Sequence, residues 1–264
     1  MNSGIVQLQL WQFSLIYLLL ILISLVMRKS RVNLVKKLFV ASLRMSVQLV
    51  LAGLVLTYVF KNPHPAFMLA YLAVIIGFTV WRVLGQNKGL NPRFKLVIGL
   101  SILFSGLAVL AFFILAVVGE SPFNPQYVIP IAGMLMGNTM TGVGQGVRSF
   151  RSGLKDQRRR IAALLNIGAP PRDILLPFVR QAMETALLPT LNSMMGMGIV
   201  SLPGMMTGQI LSGTLPMTAI LYQIAIMIAI CAVVCLASFG ALHFGYQTLY
   251  NERNQILLED EHAP

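Results

Sequence analysis

Long apolar runs alternate along the chain with short polar segments, and seven of the runs are long enough to cross a bilayer as helices. A membrane-spanning helix needs about 20 mostly apolar residues, because each residue adds about 1.5 Å along the axis and the hydrocarbon core is about 30 Å thick. The pattern therefore predicts an all-α integral membrane protein with about seven transmembrane helices. The predicted spans are 10–27, 38–60, 66–84, 96–118, 127–147, 188–211 and 217–240.

Lysine and arginine are concentrated in alternate gaps between these predicted spans. Five lie in 28–37, four in 82–95 and eight in 148–180, whereas each of the other gaps between spans holds at most one. Cytoplasmic loops of membrane proteins carry such an excess of basic residues. With seven spans, the alternation predicts an N-terminus outside the cell and a C-terminus in the cytoplasm.

Composition agrees with a membrane protein and disfavours a separate soluble domain. Of the 264 residues, 56% are hydrophobic and 11% are charged, with a mean hydropathy of +0.77. Soluble domains have about 25% charged residues. We therefore predict one membrane domain over 1–264. The net charge of +12 does not indicate nucleic-acid binding, because the basic residues lie in the gaps between apolar runs.

One basic gap, the segment 148–186, is long and patterned like two helices. Apolar residues at helical spacing lead to Gly168, a typical helix stop. Pro170 and Pro171 enforce the break, and Asp173 suits the positive N-terminal end of a second helix. The segment predicts a cytoplasmic helix–turn–helix that could dock into a partner, with a solvated basic loop as the alternative. The residues of the turn are Ile167, Gly168, Ala169, Pro170, Pro171 and Arg172.

Recognisable catalytic chemistry is missing from the sequence. It contains no phosphate-binding Gly-x-x-x-x-Gly-Lys-Ser/Thr loop, no His-Glu-x-x-His zinc motif and no Gly-x-Ser-x-Gly serine elbow. We therefore predict no catalytic residues and no cofactor in this chain. Cys231 and Cys235 lie in an apolar run and are interpreted as packing residues.

Polar residues in the fifth predicted span fall on one helix face. Met134, Asn138, Thr141 and Gln145 have spacings of four, three and four residues. Polar side chains are costly in lipid, so this face should contact protein or water. Hydrogen bonds between helices and a substrate path remain equally good interpretations.

The sixth predicted span carries its own breaks. Pro203 and Gly204 interrupt it, and a proline frees a backbone carbonyl that must then face protein or a water-filled path. Asn192 adds a polar group, and Met205 and Met206 add thioethers. Transporters use broken helices near substrate sites, although methionine is also ordinary packing.

Glu184 is the acidic residue nearest to a predicted span. Arg180 lies one helical turn before it, so an ion pair between neighbouring turns would explain it. A role in cation passage is the alternative.

The stretches "VIPIAGMLMGN", "IGAPP", "ALLPTLNS" and "GIVSLPGMM" resemble the FetB-like permease family. The resemblance covers roughly residues 38–250 and is most specific from Val128 to Gly208. That family consists of membrane subunits of bacterial ABC transporters associated with iron export, with plant relatives linked to aluminium tolerance.

The resemblance implies a permease in the inner (plasma) membrane of the cell. It further implies a homodimer and a separate P-loop ATPase partner that binds ATP and magnesium, with the turn at Gly168 as the coupling element. The exported substrate would be a metal ion, iron, and an ion-coupled secondary metal transporter is the alternative function. The candidate substrate path comprises Met134, Asn138, Thr141, Gln145, Glu184, Asn192, Pro203, Gly204, Met205 and Met206.

Overall fold

The computed structural model describes residues 9–62, 64–87 and 89–250. Within these residues the regular structure is helical, and an isolated bridge joins Met197 and Ser201. The helices are α1 Leu10–Lys29, α2 Val35–Lys61, α3 Pro65–Gln86, α4 Pro92–Phe112, α5 Pro125–Asp156, α6 Arg158–Asn166, α7 Pro171–Gly196, α8 Gly204–Leu211 and α9 Pro216–Phe239. The all-α prediction is confirmed for the described chain.

Two helices continue in other helical forms. The last turn of α4 leads into a π-helix, Phe113–Val118. Likewise α9 continues as a π-helix, Gly240–Phe244, and ends in a 3₁₀ helix, Tyr246–Leu249.

Local sequence explains where many of the helices begin. Proline suits the first helical position, because the backbone N–H that proline lacks would have no hydrogen-bond partner within the helix there. Asn91 and Asn124 precede two of these prolines and cap α4 and α5, accepting hydrogen bonds from the backbone N–H groups of Phe94 and Gln126 at 2.6 and 3.2 Å. The helices that begin with proline are α3, α4, α5, α7 and α9.

Five helical segments of the described chain are long and apolar enough to cross a membrane. They are Trp11–Lys29, Val35–Lys61, Pro65–Gln86, Pro92–Val118 and Pro216–Leu249. These segments correspond to the first four predicted spans and to the seventh. The other two predicted spans fall in α5 and in α7–α8, whose apolar character is diluted by glycine, proline and polar residues.

The sixth predicted span, 188–211, is not one continuous helix. Helix α7 ends at Gly196 and α8 begins at Gly204, so seven residues of irregular chain separate the two. At about 1.5 Å per residue, the eight residues of α8 extend only about 12 Å and cannot cross a bilayer alone. The predicted break within this span is therefore present, and it lies between Gly196 and Gly204.

Helix α5 lies at the centre of the bundle and packs against α3, α7 and α9. Two apolar clusters fill the interior, one around Phe94, Phe150 and Tyr246 and the other around Phe113 and Leu135. Helix α9 contributes to both clusters and also contacts α4, α7 and α8.

Helices α1 and α2 are peripheral. They pack mainly on each other, and Val59 is the buried residue of α2. The guanidinium of Arg44 in α2 lies 5.6 Å from the ring centre of Phe78 and 5.9 Å from that of Trp81, both in α3. These cation–π contacts give the charge of Arg44 a partner along the predicted span.

Candidate substrate path and coupling turn

The polar face predicted on α5 is exposed in the single chain. The side chains of Asn138 and Thr141 are exposed, and those of Met134 and Gln145 are half-buried. The Asn138 amide donates to the Met134 carbonyl at 2.8 Å, and the Thr141 hydroxyl donates to the Gly137 carbonyl at 3.2 Å. Both bonds stay within α5, so they do not support the interpretation that these groups join helices within the described chain.

Helix α7 adds a second exposed strip beside the first. Glu184, Leu188 and Asn192 are exposed at successive turns of this helix. Within the described ranges, Arg180 and Glu184 form no ion pair, so the carboxylate is not held by the partner that the sequence suggested. The two candidate path residues of α7, Glu184 and Asn192, therefore share one exposed side of the helix.

Close contact between α5 and α7 brings the two strips together. A Cβ built on Gly146 would lie 3.0 Å from the Cβ of Ala186 and 3.1 Å from the carbonyl oxygen of Ala182, so the helices approach closely there. The hydroxyls of Ser149 and Thr185 lie 3.2 Å apart at the rim of this contact. The resulting surface, here termed the α5–α7 face, comprises Met134, Asn138, Thr141, Gln145, Glu184 and Asn192.

The break between α7 and α8 is a closed turn. Gly198 has a φ of +84°, a left-handed conformation that favours glycine. Its N–H donates to the Ser201 carbonyl at 2.9 Å, and the Val200 N–H donates to the Gly196 carbonyl at 2.9 Å. The turn presents two apolar side chains almost fully outward, since Ile199 is 91% and Val200 84% exposed.

The structure changes the roles expected for Pro203 and Gly204. They do not start the break, because the chain has already left α7 at Gly196; instead Pro203 precedes α8 and Gly204 is its first residue. The sequence analysis missed Gly198 as the turning residue. The available signal was the pair Gly196 and Gly198 directly before two β-branched residues.

The methionines near the break take part in packing. Met206 is buried. Met134, Met197 and Met205 pack against the second apolar cluster, the one around Phe113 and Leu135. The Gln223 amide donates to the sulfur of Met197 at 3.8 Å. Among the described residues, no group of three or more His, Cys, Asp or Glu side chains could hold a metal ion. Met134, which belongs to the α5–α7 face, therefore packs against the same apolar cluster as Met197 and Met205 of the break region.

The coupling turn has the predicted helix–turn–helix shape. Helix α6 ends at Asn166 and α7 begins at Pro171. Gly168 has a φ of +83°, and its N–H and that of Ala169 donate to the carbonyls of Leu165 and Leu164, each at 3.0 Å. These bonds close the end of α6 as glycine-terminated helices commonly do.

Packing fixes one side of the coupling turn and leaves the other side free. Pro171 is buried and Ala169 packs against the first apolar cluster. By contrast Ile167 is 79% exposed, and Pro170 and Arg172 are exposed beside it. The turn is thus a held element that presents one large apolar side chain among polar neighbours.

The basic end of α5, the end of α3, the start of α4 and the chain after α9 lie at one end of the bundle. The Arg148 guanidinium, near the end of α5, donates to the side-chain oxygen of Gln86 at the end of α3, at 3.2 Å. The Asn91 amide, just before α4, donates to the carbonyl of Thr248 after α9, at 3.0 Å. Helix α6 follows this end of α5 and leads to the coupling turn.

These features define an all-helical membrane protein. The sequence profile of the uncharacterised protein family UPF0014 matches residues 10–250, and the chain belongs to that family.

Several relatives match over most of their length. The chain is 30% identical over 245 residues to the "Probable iron export permease protein FetB" of Escherichia coli (strain K12), covering 93% of each protein. It is 35% identical over 216 residues to the "Protein ALUMINUM SENSITIVE 3" of Arabidopsis thaliana, covering 81% of this chain and 77% of that protein. It is also 34% identical over 230 residues to a UPF0014 membrane protein of Synechocystis, covering 86% of this chain and 88% of the relative. No solved structure matches the chain.

Proposed function

We propose that this chain is the membrane permease subunit of an ABC transporter that exports a metal ion, iron, from the cytoplasm. The name printed for the bacterial relative FetB supports an iron export permease. The chain has no phosphate-binding loop of its own, so ATP and magnesium would bind to a separate P-loop ATPase subunit. The permease name of this relative also favours a transporter rather than an enzyme.

The observation that carries the proposal is the coupling turn. An exposed isoleucine on a turn that is otherwise packed and hydrogen-bonded suits insertion into a groove of a second protein. Arg172 is exposed on the same turn, and Arg158, Arg159 and Arg160 form the first turn at the other end of α6. Such a surface fits a partner groove that is apolar at its centre and acidic at its rim.

The proposed arrangement is one permease domain with seven crossings, in the inner (plasma) membrane. The crossing helices would be α1 to α5, α7 with its continuation α8, and α9. The basic end of α5 lies beside the end of α3, and the start of α4 lies beside the chain after α9, which supports an orientation with this end and the C-terminus in the cytoplasm. The N-terminus would then lie outside.

We further propose that two copies of the chain pair across the α5–α7 face and line the substrate path there. Polar groups facing lipid are costly, so exposed Asn138, Thr141 and Glu184 favour a protein or water neighbour. A Cβ built on Gly133 or Gly137 would meet no atom within 4 Å, which leaves room for a second helix.

Substitution of Gly137 with leucine should weaken the dimer. The larger side chain would fill the space that the second helix needs, and overpacking a contact costs about 1–3 kcal/mol, which corresponds to about 5- to 150-fold in dissociation constant. The matched control is Gly53→Leu in α2, another open glycine away from the proposed contact. Dimer dissociation in detergent would be followed by mass photometry, and an unchanged dissociation constant for Gly137→Leu would remove the face from the interface.

The proposed function is tested by isolating the tagged chain from its native membranes in mild detergent and identifying bound proteins by mass spectrometry. A stoichiometric P-loop ATPase is expected, and it should be lost when residues 168–172 are replaced by a flexible linker. A folded permease dimer without any ATPase would contradict the proposal. That result would favour the ion-coupled carrier and make Glu184 the residue to substitute next.

A further inference from the structure

A basic cavity of about 430 Å³ lies where the ends of α3 and α5 meet the start of α4. Four cationic residues line it: Arg148, Arg151, Lys155 and Arg158. The other described lining residues, which include Gln86 and Asn91, are uncharged. The cavity is separate from the α5–α7 face and from the coupling turn.

Packing and hydrogen bonds hold the walls of this cavity in place. Arg148 donates to the side-chain oxygen of Gln86 at 3.2 Å, which orients the guanidinium without neutralising its charge. Asn91 caps α4 and also donates to the carbonyl of Thr248 at 3.0 Å. Behind these groups, the fully buried Phe94 and Phe150 rings meet edge to face at 6.1 Å. The site is therefore built on helix ends rather than on a loose loop.

Two sources of positive potential converge on this space. The guanidinium groups of Arg148 and Arg151 supply full charges and several N–H donors, and guanidinium groups match phosphate oxygens in pairs. The N-terminus of α4 adds the positive end of a helix dipole beside Asn91. The nearby carboxylate of Asp156 lies outside the lining and accepts a hydrogen bond from Ser152 at 3.1 Å.

Position along the helices favours a ligand at the membrane surface. The cavity begins at Arg148, directly after the fifth predicted span, and includes the turn that precedes the apolar run of α4. Basic pockets between membrane helices at this level are suited to anionic phospholipid headgroups. We propose that this cavity binds a phosphate group at the membrane surface, carried either by an anionic phospholipid or by a soluble phosphate compound. This site does not depend on the proposed transport activity.

The test uses the full chain in detergent and follows binding by native mass spectrometry and by the shift in unfolding temperature. The probes are dioleoyl phosphatidylglycerol, dioleoyl phosphatidylcholine and inorganic phosphate. We expect phosphatidylglycerol to bind about tenfold or more tightly than phosphatidylcholine. Binding of phosphatidylglycerol alone identifies a lipid site, whereas comparable binding of inorganic phosphate identifies a site for the free anion. No preference for either phosphate-bearing anion over phosphatidylcholine would overturn the proposal, and this comparison needs only the natural chain.

A pair of double variants separates the cavity from general basic charge. Arg148→Gln with Arg151→Gln removes two lining charges and should weaken binding about tenfold or more. Arg159→Gln with Arg160→Gln removes two charges from α6 outside the cavity and should change binding less than about twofold. Equal weakening in both variants would overturn the proposal, because it would indicate diffuse attraction to the basic end of the bundle.

The acidic end of the chain provides a further control. Glu259, Asp260 and Glu261 lie outside the described residues. The last described residue is Tyr250, which follows the cavity-lining Leu249. A variant with Glu259→Gln, Asp260→Asn and Glu261→Gln should bind phosphatidylglycerol or phosphate as the natural chain does. Binding that appears only in this variant would overturn the proposal and assign the cavity to the chain's own carboxylates.

Discussion

Replacing Ile167 with glutamate should reduce the affinity of the permease for its ATPase about a hundredfold and abolish transport. Burying an isoleucine side chain contributes about 1.5–3 kcal/mol, and an unpaired carboxylate in the same apolar groove adds a desolvation cost. A loss of about 2.7 kcal/mol already corresponds to a hundredfold change in affinity. The measurement is titration of the detergent-solubilised permease with the purified ATPase, alongside transport in reconstituted vesicles.

The fold should survive this substitution, because the Ile167 side chain is 79% exposed and contributes little to the interior. The unfolding temperature of Ile167→Glu should therefore match that of the natural chain. The conservative variant Ile167→Leu should keep both binding and transport. An Ile167→Glu protein that binds the ATPase with unchanged affinity would show that the coupling turn is not the docking element.

The second large effect concerns stability and is expected for Gly245→Ala. A Cβ on Gly245 would overlap Cε2 of Phe94 and the carbonyl oxygen of Ala241. Phe94 is fully buried and packs against Phe150, so the added methyl group could be accommodated only by displacing a packed ring. Overpacking a tight core commonly costs about 1–3 kcal/mol, and a clash this close should reach or exceed the upper end of that range.

Thermal unfolding in detergent measures this prediction, with recovery of folded protein as a second readout. The matched control is Gly77→Ala in α3, where an added Cβ meets no atom within 4 Å and should leave stability unchanged or slightly raised. Combining Gly245→Ala with Phe94→Leu should restore part of the loss, because leucine vacates ring volume. An unfolding temperature for Gly245→Ala equal to that of the natural chain would contradict the packing described around Phe94.

Sequence reasoning worked where structure is determined locally. Apolar runs predicted the membrane-length helices, since hydropathy and length are properties of a short window. The coupling turn was predicted from Gly168, Pro170 and Pro171, because these residues restrict the backbone whatever surrounds them. The structure confirms the left-handed glycine and the helix that begins at Pro171.

Long-range contacts were beyond such reasoning. Gly142 and Gly146 both approach Ala186 of α7 closely, whereas Gly133 and Gly137, which have the same spacing, face open space. The sequence does not distinguish these two pairs, because the partner surface is more than thirty residues away along the chain. The same limit applies to the basic cavity, whose walls come from separate basic gaps and from Leu249.

The start of the break within the sixth span also escaped prediction. Proline attracts attention as a helix breaker, yet Pro177 and Pro189 both lie inside the continuous helix α7. The chain instead leaves the helix after Gly196 and turns at Gly198. The backbone of Gly198 is left-handed, and its N–H donates to the carbonyl of Ser201. The roles of the candidate path residues stay predictions, although six of them share the α5–α7 face.

The late position of α9 in the chain has a consequence for biosynthesis. Helix α5 can pack against α3, α4 and α7 as they emerge, but the contacts that α9 makes with α4, α5, α7 and α8 form only when nearly the whole chain has left the ribosome. Helices α1 and α2 can meanwhile insert as a hairpin, since they pack mainly on each other. A chain interrupted before Pro216 would leave the glycine-rich side of α5 and much of α7 open within the bilayer. These uncovered helix surfaces would allow cellular quality control to recognise an incomplete chain.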